Sequence, residues 1–175
     1  LDGRINIDNI FGSNRTGTFE SGESLTFGLN FKNEKVSIKN EINEIEQYFD
    51  FKLATSLRLK QQNKISHQST LNNKKSNIFG EVNFYPSNNL SLNYDFSLTD
   101  NLNELQYSSL VANFNYNQFS TKFDLIEERG VIGQTNLIQN SSKYAFNNEN
   151  SLTFNTRKNR ITNLTDFYDL VYECK

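Results

Sequence analysis

The stretch that decides the fold is Ser24-Leu25-Thr26-Phe27-Gly28-Leu29-Asn30-Phe31, which Lys32 and Asn33 continue. Its odd-numbered positions are leucine or phenylalanine, and its even-numbered positions are small or polar. Because successive side chains of a β-strand point to opposite faces, this alternation predicts a strand with one apolar and one polar surface. The pattern returns along the chain, so we expect an antiparallel all-β protein.

The alternation predicts ten strands. Several of them approach the roughly 9–11 residues that a tilted strand needs to cross a bilayer, and exceed the five or so that are usual in soluble sheets. The predicted strands are Arg4–Ile10, Ser24–Asn33, Tyr48–Gln61, Ser76–Tyr85, Leu90–Thr99, Glu104–Tyr116, Phe119–Glu127, Ser141–Phe146, Ser151–Lys158 and Thr165–Cys174.

The connections between these strands alternate in length. Short, turn-rich junctions at 86–89, 117–118 and 147–150 separate longer ones at 62–75, 100–103, 128–140 and 159–164. Short periplasmic turns that alternate with longer external loops are typical of outer-membrane β-barrels. The stretch Glu34–Gln47 departs from this scheme. Extended strands, a short helix over Asn40–Gln47 and a loop that folds inward all remain open for it.

Composition agrees with a barrel but does not decide it. Hydrophobic residues make up 35% of the 175 residues and the mean hydropathy is -0.67, yet 15 Phe and 8 Tyr argue against a disordered chain. No run approaches the roughly 18 apolar residues of a transmembrane helix, so any membrane residence must be through strands. The interspersed charges, with a net charge of -2, do not favour nucleic-acid binding.

Charged residues on the polar side of the predicted strands are the candidates for a hydrated barrel interior. Charges of both signs are tolerated there, whereas Arg or Lys at the midplane of the lipid face costs roughly 2–4 kcal/mol. They would contact either a plug protein or the sugar portion of a passing lipid. The candidates are Lys52, Arg58, Asp95, Lys122, Asp124, Arg157 and Asp169.

No catalytic, metal or cofactor site is predicted. The single histidine, His67, lies in a polar loop without an orienting partner, and the single cysteine, Cys174, falls on an apolar face. There is no glycine-rich phosphate loop, so we expect neither enzymatic activity nor a cofactor. The remaining pattern is in the tyrosines, which lie mostly near strand ends as in interfacial aromatic girdles. They are Tyr48, Tyr85, Tyr107, Tyr116, Tyr144, Tyr168 and Tyr172.

Three stretches of the chain carry a family resemblance. They are FESGESLTFGL at 19–29, LTFNTRKN at 152–159 and, most specific, NLTDFYDLVYE at 163–173. These stretches resemble the C-terminal barrel region of the lipopolysaccharide-assembly protein family (LptD, also called OstA), especially its alphaproteobacterial members. In relatives a tyrosine stands where this chain has Cys174, so no disulfide role is carried over to that cysteine.

The resemblance implies a protein of the outer membrane of a Gram-negative bacterium. The whole protein would receive lipopolysaccharide from an LptA-like periplasmic bridge, hold an LptE-like plug lipoprotein in its lumen, and release the lipid into the outer leaflet. Residues 1–175 would form one partial barrel domain, about ten strands of a larger transmembrane barrel, as a fragment truncated at both ends.

Within this interpretation Arg157, Lys158 and Arg160 form a basic cluster at the outer rim, where they would contact phosphate groups of lipopolysaccharide. Two alternatives remain. One is another outer-membrane barrel, such as a porin or nutrient channel. The other, less favoured, is a soluble secreted β-sandwich or adhesin in which the apolar faces pack on each other.

Overall fold

A computed structural model of the chain describes residues 5–12, 22–39 and 42–174. These residues form one antiparallel sheet of 9 strands and one 3-10 turn, His67–Ser69, which confirms the all-β antiparallel prediction. The strands are β1 Ser24–Lys39, β2 Ile42–Arg58, β3 Ile78–Ser87, β4 Leu90–Leu98, β5 Leu105–Tyr116, β6 Phe119–Glu128, β7 Thr135–Ala145, β8 Asn150–Asn159 and β9 Leu164–Cys174.

Each strand pairs with its neighbours in the sequence, in the order β1 to β9. No pairing joins β1 to β9 among the described residues, so the sheet is open rather than closed into a barrel. Register keeps side chains of one kind together: Leu29 lies opposite Leu53, and on the other face Asn30 lies opposite Lys52. The sheet therefore has an apolar face and a polar face, as the alternation predicts.

The first predicted strand, Arg4–Ile10, is wrong for residues 5–10, and Arg4 lies outside the described residues. Asn6 instead builds a turn, because its Oδ1 accepts hydrogen bonds from the N–H groups of Asp8 and Asn9, both at 3.1 Å. The Ile10 N–H donates to the Asn6 carbonyl at 3.1 Å. Asparagine side chains that bond nearby backbone in this way favour turns over strands. The described chain thus has nine strands where ten are predicted.

Two other regions differ from the predicted boundaries. β7 begins at Thr135 rather than at Ser141, and it pairs along this extension with β6. Between Glu34 and Gln47, the strands β1 and β2 simply continue, with a bulge between Asn33 and Glu34. Extended strands are therefore the correct alternative, and the short helix is wrong for residues 42–47; residues 40 and 41 lie outside the described ranges.

The buried apolar core lies on the polar face of the sheet. Ala54 and Phe79 are paired there between β2 and β3, as apolar exceptions among polar neighbours. Residues 5–12 and the connection 59–77, together called the polar-face cap, pack five isoleucine and leucine side chains on them. The cluster consists of Ile5, Ile7, Ile10, Ala54, Ile65, Leu71 and Phe79. Arg58 fastens the cap, because its Nε donates to the Leu71 carbonyl at 2.6 Å.

The turns divide between the two edges of the sheet. At one end of the strands, here called the short-turn edge, the described connections are 88–89, 117–118 and 146–149; β1 and β2 are joined there through residues 40–41, which lie outside the described ranges. At the other end, the long-loop edge, the connections are 59–77, 99–104, 129–134 and 160–163. The difference in length is clear for the first three pairs of strands and disappears at the last, where 146–149 and 160–163 are equally long. Over the described ranges, no helix is long and apolar enough to cross a membrane.

Candidate functional site on the polar face

All of the charged residues predicted for a hydrated interior lie on the polar face. Alternation and register place them there on strands β2, β4, β6, β8 and β9. Most of their register partners are polar, but Asp124 lies opposite Val111 and Arg157 lies opposite Phe167. They do not form one site, however. One group lies on β2–β4 beneath and beside the polar-face cap, and the other lies on β6–β9. The first group comprises Lys52, Arg58 and Asp95, and the second comprises Lys122, Asp124, Arg157 and Asp169.

The β2–β4 group is a compact charged network. Lys52 Nζ lies 3.2 Å from Glu81 Oε1 and 3.6 Å from Asp50 Oδ2. Asn83 donates a hydrogen bond from its side chain to Glu81, so the carboxylate is held from two sides. Asp50 and Glu81 are both buried. Because Asp95 is the register partner of Glu81, three carboxylates share a single ammonium group. This network links β2, β3 and β4 through their side chains, although Asp50 Oδ1 is buried without a hydrogen-bond partner among the described residues.

Sequence reasoning missed Glu81 as a member of this network. Its signal was available, because Glu81 alternates with Phe79 and Asn83 on a strand whose opposite face carries Ile78 and Val82. The apolar Phe79 obscured the pattern. Arg58 was correctly placed on the polar face, but it is buried under the cap and does not face open solvent.

Three members of the β6–β9 group, Lys122, Asp124 and Asp169, line an open groove of about 340 Å³ on the polar face, and Arg157 lies next to it. Hydrogen bonds run across its floor: Ser141 Oγ donates to Asn155 Oδ1 at 2.6 Å, and Asn155 Nδ2 donates to Asp169 Oδ2 at 3.2 Å. Asp124 Oδ1 is buried and has no hydrogen-bond partner in the part of the chain that is described. The groove is lined by Lys122, Asp124, Gln139, Ser141, Asn155, Phe167 and Asp169, with Asn140 and Thr156.

The predicted basic rim does not form a single cluster. Arg157 lies on the polar face, with Nε 2.8 Å from Asp166 Oδ2 and its guanidinium 5.2 Å from the centre of the Phe167 ring. Lys158, as the next residue of the strand, points to the opposite face. Arg160 follows β8 in the turn at the long-loop edge. Lys158 is therefore on the other side of the sheet from Arg157, and Arg157 already has a carboxylate partner.

Aromatic side chains are concentrated at the short-turn edge. Tyr48 and Phe84 have ring centres 5.3 Å apart, and the rings of Tyr144 and Phe146 are 5.2 Å apart. Of the seven tyrosines predicted near strand ends, five lie towards this edge, whereas Tyr107 and Tyr168 lie towards the long-loop edge. The five are Tyr48, Tyr85, Tyr116, Tyr144 and Tyr172.

The apolar face is uncovered. Every contact between described strands joins sequence neighbours, so no second layer packs on this face. Leu29 retains 60% of its exposure and Leu170 retains 66%, which are values expected of surface residues rather than core residues. Other exposed members of the face are Leu25, Phe27, Phe31, Leu57, Leu110, Phe114, Phe123, Phe154, Tyr168 and Tyr172. Cys174 is also exposed, on the same face of β9 as Tyr172.

One polar network interrupts this apolar face at β6 and β7. Thr121 Oγ1 and Ser142 Oγ lie 2.8 Å apart, Asn140 Nδ2 donates to Thr121 Oγ1 at 3.0 Å, and Ser142 Oγ donates to Asn140 Oδ1 at 3.0 Å. Since these groups satisfy one another, the network is far less costly in apolar surroundings than three unpaired groups would be.

The described residues were also compared with the sequence predictions for metal-binding and catalytic residues. Across the described ranges, no three histidine, cysteine, aspartate or glutamate residues are grouped so as to hold a metal ion. His67 Nδ1 lies 2.9 Å from Asn72 Nδ2, a partner that the sequence did not indicate. The expectation that the protein is not an enzyme stays a prediction. A comparison with protein-family models finds no match, and a search of curated proteins also finds none.

Proposed function

We propose that this chain is part of the wall of an outer-membrane β-barrel that transports lipopolysaccharide to the outer leaflet. The observation that carries the proposal is the pairing of an uncovered apolar face with a hydrogen-bonded polar face on one continuous sheet. A soluble monomer rarely exposes a contiguous apolar patch of more than a few hundred Å². In a bilayer, the same face meets acyl chains and needs no further protein layer.

Two further features support membrane residence. The aromatic rings at the short-turn edge would lie at the headgroup level, as Tyr and Phe do in the girdles of barrels. At the opposite edge, the long connection 59–77 forms the polar-face cap together with residues 5–12, and in a barrel this face would be the lumen side. Both unpaired edges, on β1 and β9, would be satisfied by further strands of a larger barrel, because open strand edges are not tolerated in lipid.

The assignment to lipopolysaccharide rests on the resemblance of residues 19–29, 152–159 and 163–173 to the LptD family. The polar face would shield the sugar portion of the lipid while the acyl chains stay in the bilayer. An LptE-like plug and an LptA-like periplasmic bridge are proposed partners on the same ground. Energy for transport would come from outside this chain.

Depletion of the intact protein in its native bacterium tests this function. Lipopolysaccharide should disappear from the cell surface and accumulate inside the outer membrane, as measured by its accessibility to an enzyme or antibody added outside intact cells. If surface lipopolysaccharide is unchanged while uptake of small solutes falls, the protein is a porin or nutrient channel instead. Unchanged lipopolysaccharide and uptake, with the protein secreted and water-soluble, would favour the adhesin alternative.

The basic residues near the long-loop edge give a second test. Neutralising Arg157 and Arg160 together should raise the permeability of the outer membrane to a large antibiotic if they contact lipid phosphates. Neutralising Lys158, which points to the other face, is the matched control. Equal permeability in the double variant and the wild type would remove these two arginines from the proposal.

A further inference from the structure

The groove on β6–β9 contains polar groups that nothing in the described structure satisfies. Asp124 Oδ1 is buried without a hydrogen-bond partner. The Lys122 ammonium and the Gln139 side-chain amide likewise make no hydrogen bond or ion pair to the described residues, although neighbouring Ser141, Asn155 and Asp169 are bonded to one another. Unpaired donors and acceptors that converge on one concavity are typical of ligand sites.

The chemistry of the lining favours hydroxyl groups as ligands. A carboxylate accepts hydrogen bonds from two adjacent hydroxyls, and an amide both donates and accepts. The Phe167 ring also lines the groove and is 39% exposed, so it offers apolar surface next to these polar groups, beside the Arg157 guanidinium that lies 5.2 Å from the ring centre. Vicinal hydroxyls above an apolar C–H face are the defining surface of a sugar ring.

The charges of the groove argue against phosphate. Two carboxylates, on Asp124 and Asp169, face one ammonium, on Lys122, so an anion would meet net repulsion. Arg157 lies next to the groove over Phe167, but Asp166 already pairs with its guanidinium at 2.8 Å. A neutral ligand avoids this repulsion and can still hydrogen-bond to the free Gln139 amide and the Lys122 ammonium.

We propose that this groove binds a neutral saccharide, with its hydroxyl groups held by Asp124, Gln139 and Asp169 and one sugar face against Phe167. The site deepens the proposed function and rests on it for the source of the sugar, which would be the uncharged part of the lipopolysaccharide polysaccharide rather than its phosphorylated inner region. A free oligosaccharide presents the same chemistry, as it would to a nutrient channel.

The test measures maltohexaose binding to the full chain in detergent micelles, by saturation-transfer NMR, after circular dichroism has shown the β content to be intact. The Asp124→Asn and Gln139→Ala variants should each bind about tenfold more weakly, since each loses a hydrogen-bonding group of the site. Asp100→Asn and Gln61→Ala change exposed residues outside the groove and should bind as the wild type does.

Inorganic phosphate at matched ionic strength should fail to displace the maltohexaose. Absence of binding by the folded chain, equal binding by groove and control variants, or displacement by phosphate would each overturn the inference. Lipopolysaccharide with its full polysaccharide should compete with maltohexaose for the groove, whereas lipid A alone should not. If neither competes, the ligand is a free sugar, and the proposal that the sugar belongs to lipopolysaccharide is overturned. Because this measurement is independent of cellular depletion, failure of the site and failure of the proposed function are distinguishable.

Discussion

An arginine placed on the apolar face separates a membrane wall from a soluble sheet. Leu110 lies near the middle of β5 and is 37% exposed, with Tyr94 and Leu125 as its register partners. If this face meets lipid, Leu110→Arg should destabilise the folded state by roughly 2–4 kcal/mol, the cost of arginine near the midplane of a barrel wall. That corresponds to a roughly 30- to 1000-fold change in the folding equilibrium.

The matched control is the next residue of the same strand. Val111 is also apolar but lies on the polar face, opposite Asn93 and Asp124, so Val111→Arg places its charge in water beside a carboxylate. Its cost should stay near the 0.5 kcal/mol typical of surface substitutions. Both variants would be folded into liposomes and titrated with urea, with the folded fraction taken from heat-modifiable gel mobility. Equal costs for the two variants would refute the assignment of the apolar face to lipid.

Three further substitutions test the fold by urea denaturation. Phe79→Ala removes a ring that is only 2% exposed from the cluster under the cap and should lower the free energy of unfolding by about 3–5 kcal/mol. Phe146→Ala, at an exposed turn, should lower it by less than about 1 kcal/mol, and similar losses for the two variants would contradict the burial of Phe79. Gly80→Ala would push a Cβ into the Phe96 ring on the neighbouring strand and should lower the free energy of unfolding by about 1–3 kcal/mol. Adding Phe96→Leu to this variant should recover part of the loss, so strictly additive losses for the two substitutions would argue against the contact. Leu102→Gly should raise stability by about 1 kcal/mol, because Leu102 is exposed and has a φ of 63°, and a lower urea midpoint would count against this.

Alternation was sufficient to predict the strands whose two faces differ in polarity. β4 and β6 begin at the predicted residues, because apolar and polar residues already alternate at their starts, in Leu90-Ser91-Leu92 and Phe119-Ser120. The first half of β7, Thr135–Asn140, carries no such alternation, and its Asn140 even stands on the apolar face. That segment is a strand because β6 and β8 pair with it on both sides, a tertiary cause that a local pattern does not contain.

The opposite error arose at residues 5–10. Ile5 and Ile7 alternate as in a strand, yet both are buried on Ala54 and Phe79 while Asn6 turns the backbone. For the candidate site, the same alternation placed the charged residues on the polar face, because odd-numbered and even-numbered residues of a strand point to opposite faces. The position of a residue along its own strand does not show which charges of neighbouring strands neutralise one another. The register was therefore needed to separate the charge network around Glu81 from the open groove beside Asp124.

The strictly sequential order of the strands bears on how the sheet can be assembled. Since each strand contacts only the strands next to it in the chain, the entropy of bringing partners together is small at almost every step. Growth can proceed by adding one hairpin at a time to a free edge, as in a zipper. The exception is the junction of β2 with β3, which must close the long connection 59–77 before its hydrogen bonds form. Its apolar cluster compensates that closure, so we expect this junction to be the slowest step of folding and the cap to be part of the nucleus.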